Sequence, residues 1–174
     1  ILFNTFAFYT LYASQNKKTH EPAKSKNVLD QWIHARLNEI IHDTTIHLDA
    51  YNTVKAGRPM RDFVTDFSTW YIRRSRDRLK GGDEDDKQYA LSTARYVLIE
   101  FSKVIAPYMP FIAEYIYRGL RDETDPESVH LCDWPESKER MDSEKKLLTD
   151  MEKVRDIVSL ALEDRKSTRL NSSH

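Results

Sequence analysis

The chain has 174 residues, 40% of them hydrophobic and 32% charged, enough for one globular domain with a substantial core. Its 27 basic and 28 acidic residues leave a formal charge of -1, so the total does not point to nucleic acid and only the distribution of charge can. The single cysteine, Cys132, excludes an internal disulfide and a multi-cysteine zinc site, and 4 Gly and 6 Pro leave long stretches free of helix breakers, which favours an all-α fold.

The opening run ILFNTFAFYTLYASQ puts Leu2, Phe6, Tyr9 and Ala13 on one helical stripe, with Phe8 and Tyr12 beside it. Asn4, Thr5 and Thr10 interrupt the run, which lacks both the length of a membrane span and the basic start of a signal peptide. It begins at Ile1 in mid-pattern, as a helix cut partway would, and a piece of a longer protein is expected. Residues 16–26, with Pro22, read as a loop. Asn27-x-x-Asp30 then resembles a capping box with Asp in place of Glu. The helix behind it repeats Leu29, Trp32/Ile33, Leu37, Ile40/Ile41, Thr44, Leu48 and Tyr51, and Gly57 is expected to end it.

Pro59 suits the first turn of a third helix carrying Phe63, Val64, Phe67, Trp70 and Tyr71, which Gly81-Gly82 closes. The acids at 83–86 sit where negative charge favours a new helix start. That fourth helix repeats Leu91, Ala94, Val97/Leu98, Phe101 and Val104/Ile105, and Pro107 and Pro110 kink it or divide it from a helix over 111–120 bearing Ile112, Tyr115 and Ile116. Residues 121–137 read as non-helical. A last amphipathic helix uses Leu147/Leu148, Met151, Val154, Ile157/Val158 and Ala161. The tail KSTRLNSSH over 166–174 abandons the apolar period and reads as a disordered or non-native end. Helices joined mostly by short loops make an antiparallel bundle the simplest architecture.

The most informative stretch is DFSTWYIRRSRDR over 66–78, with four arginines in six positions. At about 100° per residue, Phe63, Phe67, Trp70 and Tyr71 define its buried face, and Arg73 and Arg76 point outward beside Asp62, Thr65 and Thr69. Arg73 and Arg76, with Lys80 below them, are candidates for phosphate contact; the competing reading is a solvated face of local ion pairs. Arg74 and Arg78 project near the apolar stripe, where a charge needs a partner such as Asp66 or Asp77. Trp70 can stack on a base, although its spacing also suits the core, where Trp32 belongs. Arg36 lies on the edge of its helix stripe and is expected to snorkel to water or pair with an acid of a neighbouring helix. The histidines show no metal spacing, and no Gly-rich phosphate loop, nucleophile elbow or Cys–His pair is present.

Several of these runs resemble one family. LDQWIHARLN over 29–38 resembles the opening helix of the anticodon-binding domain in class I aminoacyl-tRNA synthetases for branched aliphatic amino acids. Asp66 through Arg78 is similar to the isoleucine members in particular. IAPYMPFIAEYI over 105–116 resembles the proline-marked helix shared by the isoleucine, valine and leucine members, and Val129-His130-Leu131 followed by Trp134-Pro135 resembles the segment after it. The stretch 4–13 is similar to the helix that connects to the bundle.

The resemblance implies a division into the end of that connecting helix (1–15), the anticodon-binding bundle (16–137), a C-terminal helix that packs on the bundle or leads onward (138–165), and the tail (166–174). It also implies a cytoplasmic parent enzyme that uses ATP and Mg to attach isoleucine to tRNA(Ile). The expected partners are the anticodon stem and loop of that tRNA and the parent's catalytic domain, with no membrane. Neither a His-Ile-Gly-His nor a Lys-Met-Ser-Lys-Ser motif occurs in the chain, so no catalytic residue, cofactor or metal is expected within it, and any zinc of the parent would lie outside it. The alternatives are the same domain of a valine or leucine enzyme, or a stand-alone helical scaffold for RNA or protein.

Overall fold

The computed structural model describes residues 1–13 and 21–171, and among these every regular element is helical. In chain order they are α1 (Leu2–Ala13), α2 (Val28–Asp49), α3 (Thr53–Thr65), a widened π-type segment (Asp66–Ile72), α4 (Arg76–Lys80), α5 (Glu84–Ile105), α6 (Pro110–Leu120) and α7 (Asp142–Asn171). Single 3-10 turns stand at Pro22–Lys24 and Val129–Leu131. Two compact units result, Ile1–Glu139 and Arg140–His174.

The first unit is built around α5. Residues on several sides of that helix are buried, among them Ala90, Ala94, Val97, Leu98, Phe101 and Val104, so it lies in the middle of the bundle. Helices α1, α2, α4 and α6 pack against it. Asp83 starts α5 by accepting from the backbone N–H groups of Asp85 and Asp86, and Gly81 and Gly82 make the preceding bend at φ values of 141° and 131° that an L side chain rarely adopts. Pro107 and Pro110 divide α5 from α6, and the turn between them folds α6 back against α5.

Residues 121–139 cross the bundle as an irregular strap with defined fastenings. Trp134 Nε1 donates to Thr45 Oγ1 at 2.8 Å, and Asn38 exchanges two hydrogen bonds with the backbone of Lys138 at 2.9 and 2.7 Å. Glu114 accepts from both Ser128 Oγ and the Val129 N–H.

Helix boundaries differ from expectation in one region. Helix α2 ends at Asp49, not near Gly57, and α3 begins at Thr53. The N–H of Tyr51 bonds to Leu48 O and that of Asn52 to His47 O, the paired bonds of a Schellman turn. Tyr51 occupies its left-handed position at φ 56°, where glycine is usual, and its side chain is 93% exposed. Asn52 then caps α3 by accepting from the Lys55 N–H. Gly57 and Pro59 consequently fall inside α3. Gly57 has a packing reason: a Cβ there would lie 3.2 Å from the Tyr108 ring. Pro59 removes the donor that would meet the carbonyl of Lys55, a residue exposed to water.

Asn27 caps α2 as expected, but Asp30 does not complete a capping box; its carboxylate is buried and engaged elsewhere. The backbone of α7 runs to Asn171, past the point at which the apolar period lapses. Residues 14–20, most of the first half of the expected loop together with the last two positions of the expected connecting helix, lie outside the described residues, as do 172–174 of the expected tail.

Replacing Tyr51 with Gly relieves the left-handed backbone and removes no packing, so it raises stability by about 1 kcal/mol in urea unfolding.

Candidate nucleic-acid interface

Charge is unevenly distributed. Residues 53–80 hold eight Lys and Arg against three Asp, a surplus of five positive charges in a chain whose total is -1. What this segment does with its cations depends on how its helix is wound.

Phe63, Phe67, Tyr71, Ser75 and Leu79 are all 1% exposed or less, a buried row at intervals of four. A regular α-helix would carry Leu79 about 160° away from Phe63 over that distance. The widened turns of Asp66–Ile72, where the Arg73 N–H reaches back five residues to Ser68 O, absorb the difference and keep the row on one face. Aromatic packing follows the row. Phe63 and Phe67 stack at 6.3 Å between centroids, Phe67 and Tyr71 at 5.7 Å, and Phe63 meets Phe101 of α5 at 4.7 Å.

A buried polar cluster fixes the lower end of this row. Asp30 of α2, 0% exposed, accepts from Ser25 Oγ at 2.5 Å, from the Tyr71 hydroxyl at 2.8 Å, and from both Nη atoms of Arg78 at 2.9 Å. Arg78 also donates to Asp86 of α5 through Nε and Nη2, each at 2.7 Å. Burial opposes the Arg78 charge, but hydrogen bonds to Asp30 and Asp86 outweigh it and raise its pKa. Hydrogen bonding from Arg78 in turn holds the Asp86 carboxyl below the usual range, and burial together with the Asp30 charge pushes the Tyr71 hydroxyl well above its own. One residue of the basic run is therefore spent on the core. Arg36 is similarly committed, donating to Asp66 at 3.1 Å and to Glu39.

The other basic residues face water. Arg73, Arg74, Arg76 and Lys80 are exposed, and no ion pair holds any of them among the described residues. Asp62, Thr65 and Thr69 are exposed alongside. The structure separates Arg74 from Arg78: the expected place of Arg74 near the apolar stripe is taken by Ser75, because the wide turns shift the buried face by one position. Its guanidinium instead lies 4.2 Å above the half-buried Trp70 ring. Trp70 thus belongs to the surface stack, not to the aromatic row. Arg76 reaches Phe8 of α1 at 5.3 Å, with Tyr12 a further 4.9 Å from Phe8. This approach of α1 to the basic segment, across 68 positions of sequence, left no local signal to read.

Such a surface offers planar forks and ammonium groups for phosphate oxygens, with an indole and a phenyl ring beside them for unpaired bases. Among the described residues no cluster of His, Cys, Asp and Glu is placed to hold a metal, and no helix is long and apolar enough to cross a membrane.

Residues 30–174 match the family described as the anticodon-binding domain of tRNA ligase. The chain is 42% identical, over 97% of its length, to an isoleucine–tRNA ligase of Chlamydia trachomatis serovar D, and 37% identical over 98% to that of Clostridium tetani. With the isoleucine–tRNA ligase of Clostridium acetobutylicum it shares 43% identity over 80% of its length. It spans only 16%, 17% and 14% of those three proteins.

Truncating Asp30 to Ala leaves a partly buried guanidinium short of its main partner, so urea unfolding should show a loss of about 3–5 kcal/mol.

Proposed function

Because the chain belongs to the anticodon-binding domain family of tRNA ligases, we propose that it docks the anticodon stem and loop of tRNA(Ile) for a longer isoleucine–tRNA ligase. The isoleucine assignment draws on the names of the three relatives given above, each an isoleucine–tRNA ligase, at 37–43% identity. The observation that carries the binding role is the surplus of positive charge in 53–80, most of it on exposed side chains, with Arg73, Arg74, Arg76 and Lys80 following the wide turns.

In this reading the segment's part is positional. Arg73, Arg76 and Lys80 contact phosphates and set the register of the RNA, while bases splayed from the loop meet the Trp70–Arg74 stack. Arg36, Asp66 and Arg78 hold the helices that present these groups. Residues 1–15 connect to the catalytic domain, 16–137 form the bundle and 138–165 lead toward a further region. Isoleucine activation with ATP and Mg takes place in that catalytic domain, in the cytoplasm. This chain, without the two nucleotide-binding motifs, contributes affinity and identity to the reaction and no catalytic group.

Reversing both Arg73 and Arg76 to Glu weakens binding to a tRNA(Ile) transcript. It also reduces the slope of log K against log salt by at least about 1.4, the share of two lost contacts. An unchanged slope would place the RNA on another face. A transcript with an altered anticodon should bind less tightly than the natural one; equal affinity would remove base reading from this segment.

A further inference from the structure

The exposed face of 53–80 has a second basic cluster upstream of the first. Lys55, Arg58 and Arg61 are exposed at intervals of three on α3. Arg58 and Arg61 line a shallow cleft of about 680 Å³, walled by Gly57 and by Tyr108 from the turn between α5 and α6. The cleft is well defined: the Tyr108 hydroxyl donates to Thr53 O at 2.7 Å, and the bare Cα of Gly57 lets the ring lie against α3. One acid, Asp62, stands at its edge, 3.8 Å from Arg61 with side chains 69% and 90% exposed. A pair so open to water holds its arginine weakly.

The two clusters share one ridge. Arg61, Thr65, Thr69 and Arg73 are all exposed and follow at intervals of four, the same period that the wide turns impose on the buried row. Between the clusters the ridge presents only threonines. Of the two carboxylates between Arg61 and Arg73, Asp62 stands exposed beside Arg61 at the head of the stretch, and Asp66 is buried against Arg36 and puts no negative charge outward. Arg61 and Arg73 are separated by at most about 18 Å of helical rise, the wide turns between them rising less per residue than an α-helix. A single cluster would fix one point of an RNA and leave it free to pivot. Two on one line fix its direction as well.

We propose that the Arg58–Arg61–Tyr108 cleft is a second foothold for the RNA sugar–phosphate backbone, taking phosphates several nucleotides from those held by Arg73, Arg76 and Lys80. The ligand is the same RNA as in the function proposed above, and the inference rests on that reading. Arg58 and Arg61 supply the forks for phosphate, and the Tyr108 edge of the cleft limits how far a ribose can enter. Thr65 and Thr69 leave the intervening backbone an uncharged path.

The test compares the whole 174-residue chain with R58Q/R61Q and R73Q/R76Q variants, titrated with a tRNA(Ile) transcript across a range of salt. Far-ultraviolet circular dichroism and urea midpoints verify that each variant is folded. The proposal expects R58Q/R61Q to reduce the salt slope by about 1.4–1.8, with a similar reduction from R73Q/R76Q. If R73Q/R76Q lowers the slope and R58Q/R61Q leaves it unchanged, the second foothold is overturned and the docking function stands. If neither pair changes it, the RNA lies on another face and both phosphate sites fall.

Discussion

Asp30 is a carboxylate without access to water, and the bundle is arranged to supply it with donors. Ser25 comes from the approach to α2, Tyr71 from the widened segment and Arg78 from α4, while Asp86 ties the same guanidinium to α5. Four parts of the chain are thus brought to one charge. Removing any donor would expose the others to an unsatisfied buried group, which is why such a cluster specifies register more sharply than apolar packing alone. The aromatic row above it supplies burial. The polar cluster determines which residue of the row sits at which height.

That constraint bears directly on the outer surface. With Tyr71 and Arg78 both held to Asp30, the helix between them cannot rotate, and the row of buried residues at intervals of four requires turns wider than those of an α-helix. Arg73, Arg74, Arg76 and Lys80 are then presented to water as a consequence of what is buried. The arginines divide by partner: Arg36 and Arg78 neutralise carboxylates inside, and Arg73, Arg74 and Arg76 keep their charge toward water. A chain with almost no net charge can in this way display a basic face.

Much of this was readable in the sequence. Apolar periodicity located the helices, and Asn27 and the acids at 83–86 marked their starts. Three features were hidden for physical reasons. The turn at Tyr51 uses a tyrosine where glycine is usual, so the two later breakers, Gly57 and Pro59, drew the helix boundary to themselves. The widened turns were the larger obstacle. Counting at about 100° per residue sent Arg74 inward and gave no role to Ser75, whereas the observed period of four reverses the two. No local pattern announces the change, because the groups that hold Tyr71 in the buried row lie far off in sequence, Asp30 some forty positions earlier and Ala90 on α5. A longer separation, 68 positions, concealed Phe8 beside Arg76.

The claim on which the account turns is that RNA lies along the outward face of the segment from α3 to α4. Chemical-shift mapping of the isotope-labelled chain during titration with an anticodon stem–loop RNA tests it residue by residue. The account predicts that perturbations concentrate on the exposed positions Arg58, Arg61, Thr65, Thr69, Arg73, Arg74, Arg76 and Lys80, with the indole signal of Trp70 shifting and that of the buried Trp32 unmoved. Perturbations gathered instead on the outer faces of α2 and α6, with the basic segment silent, would contradict it.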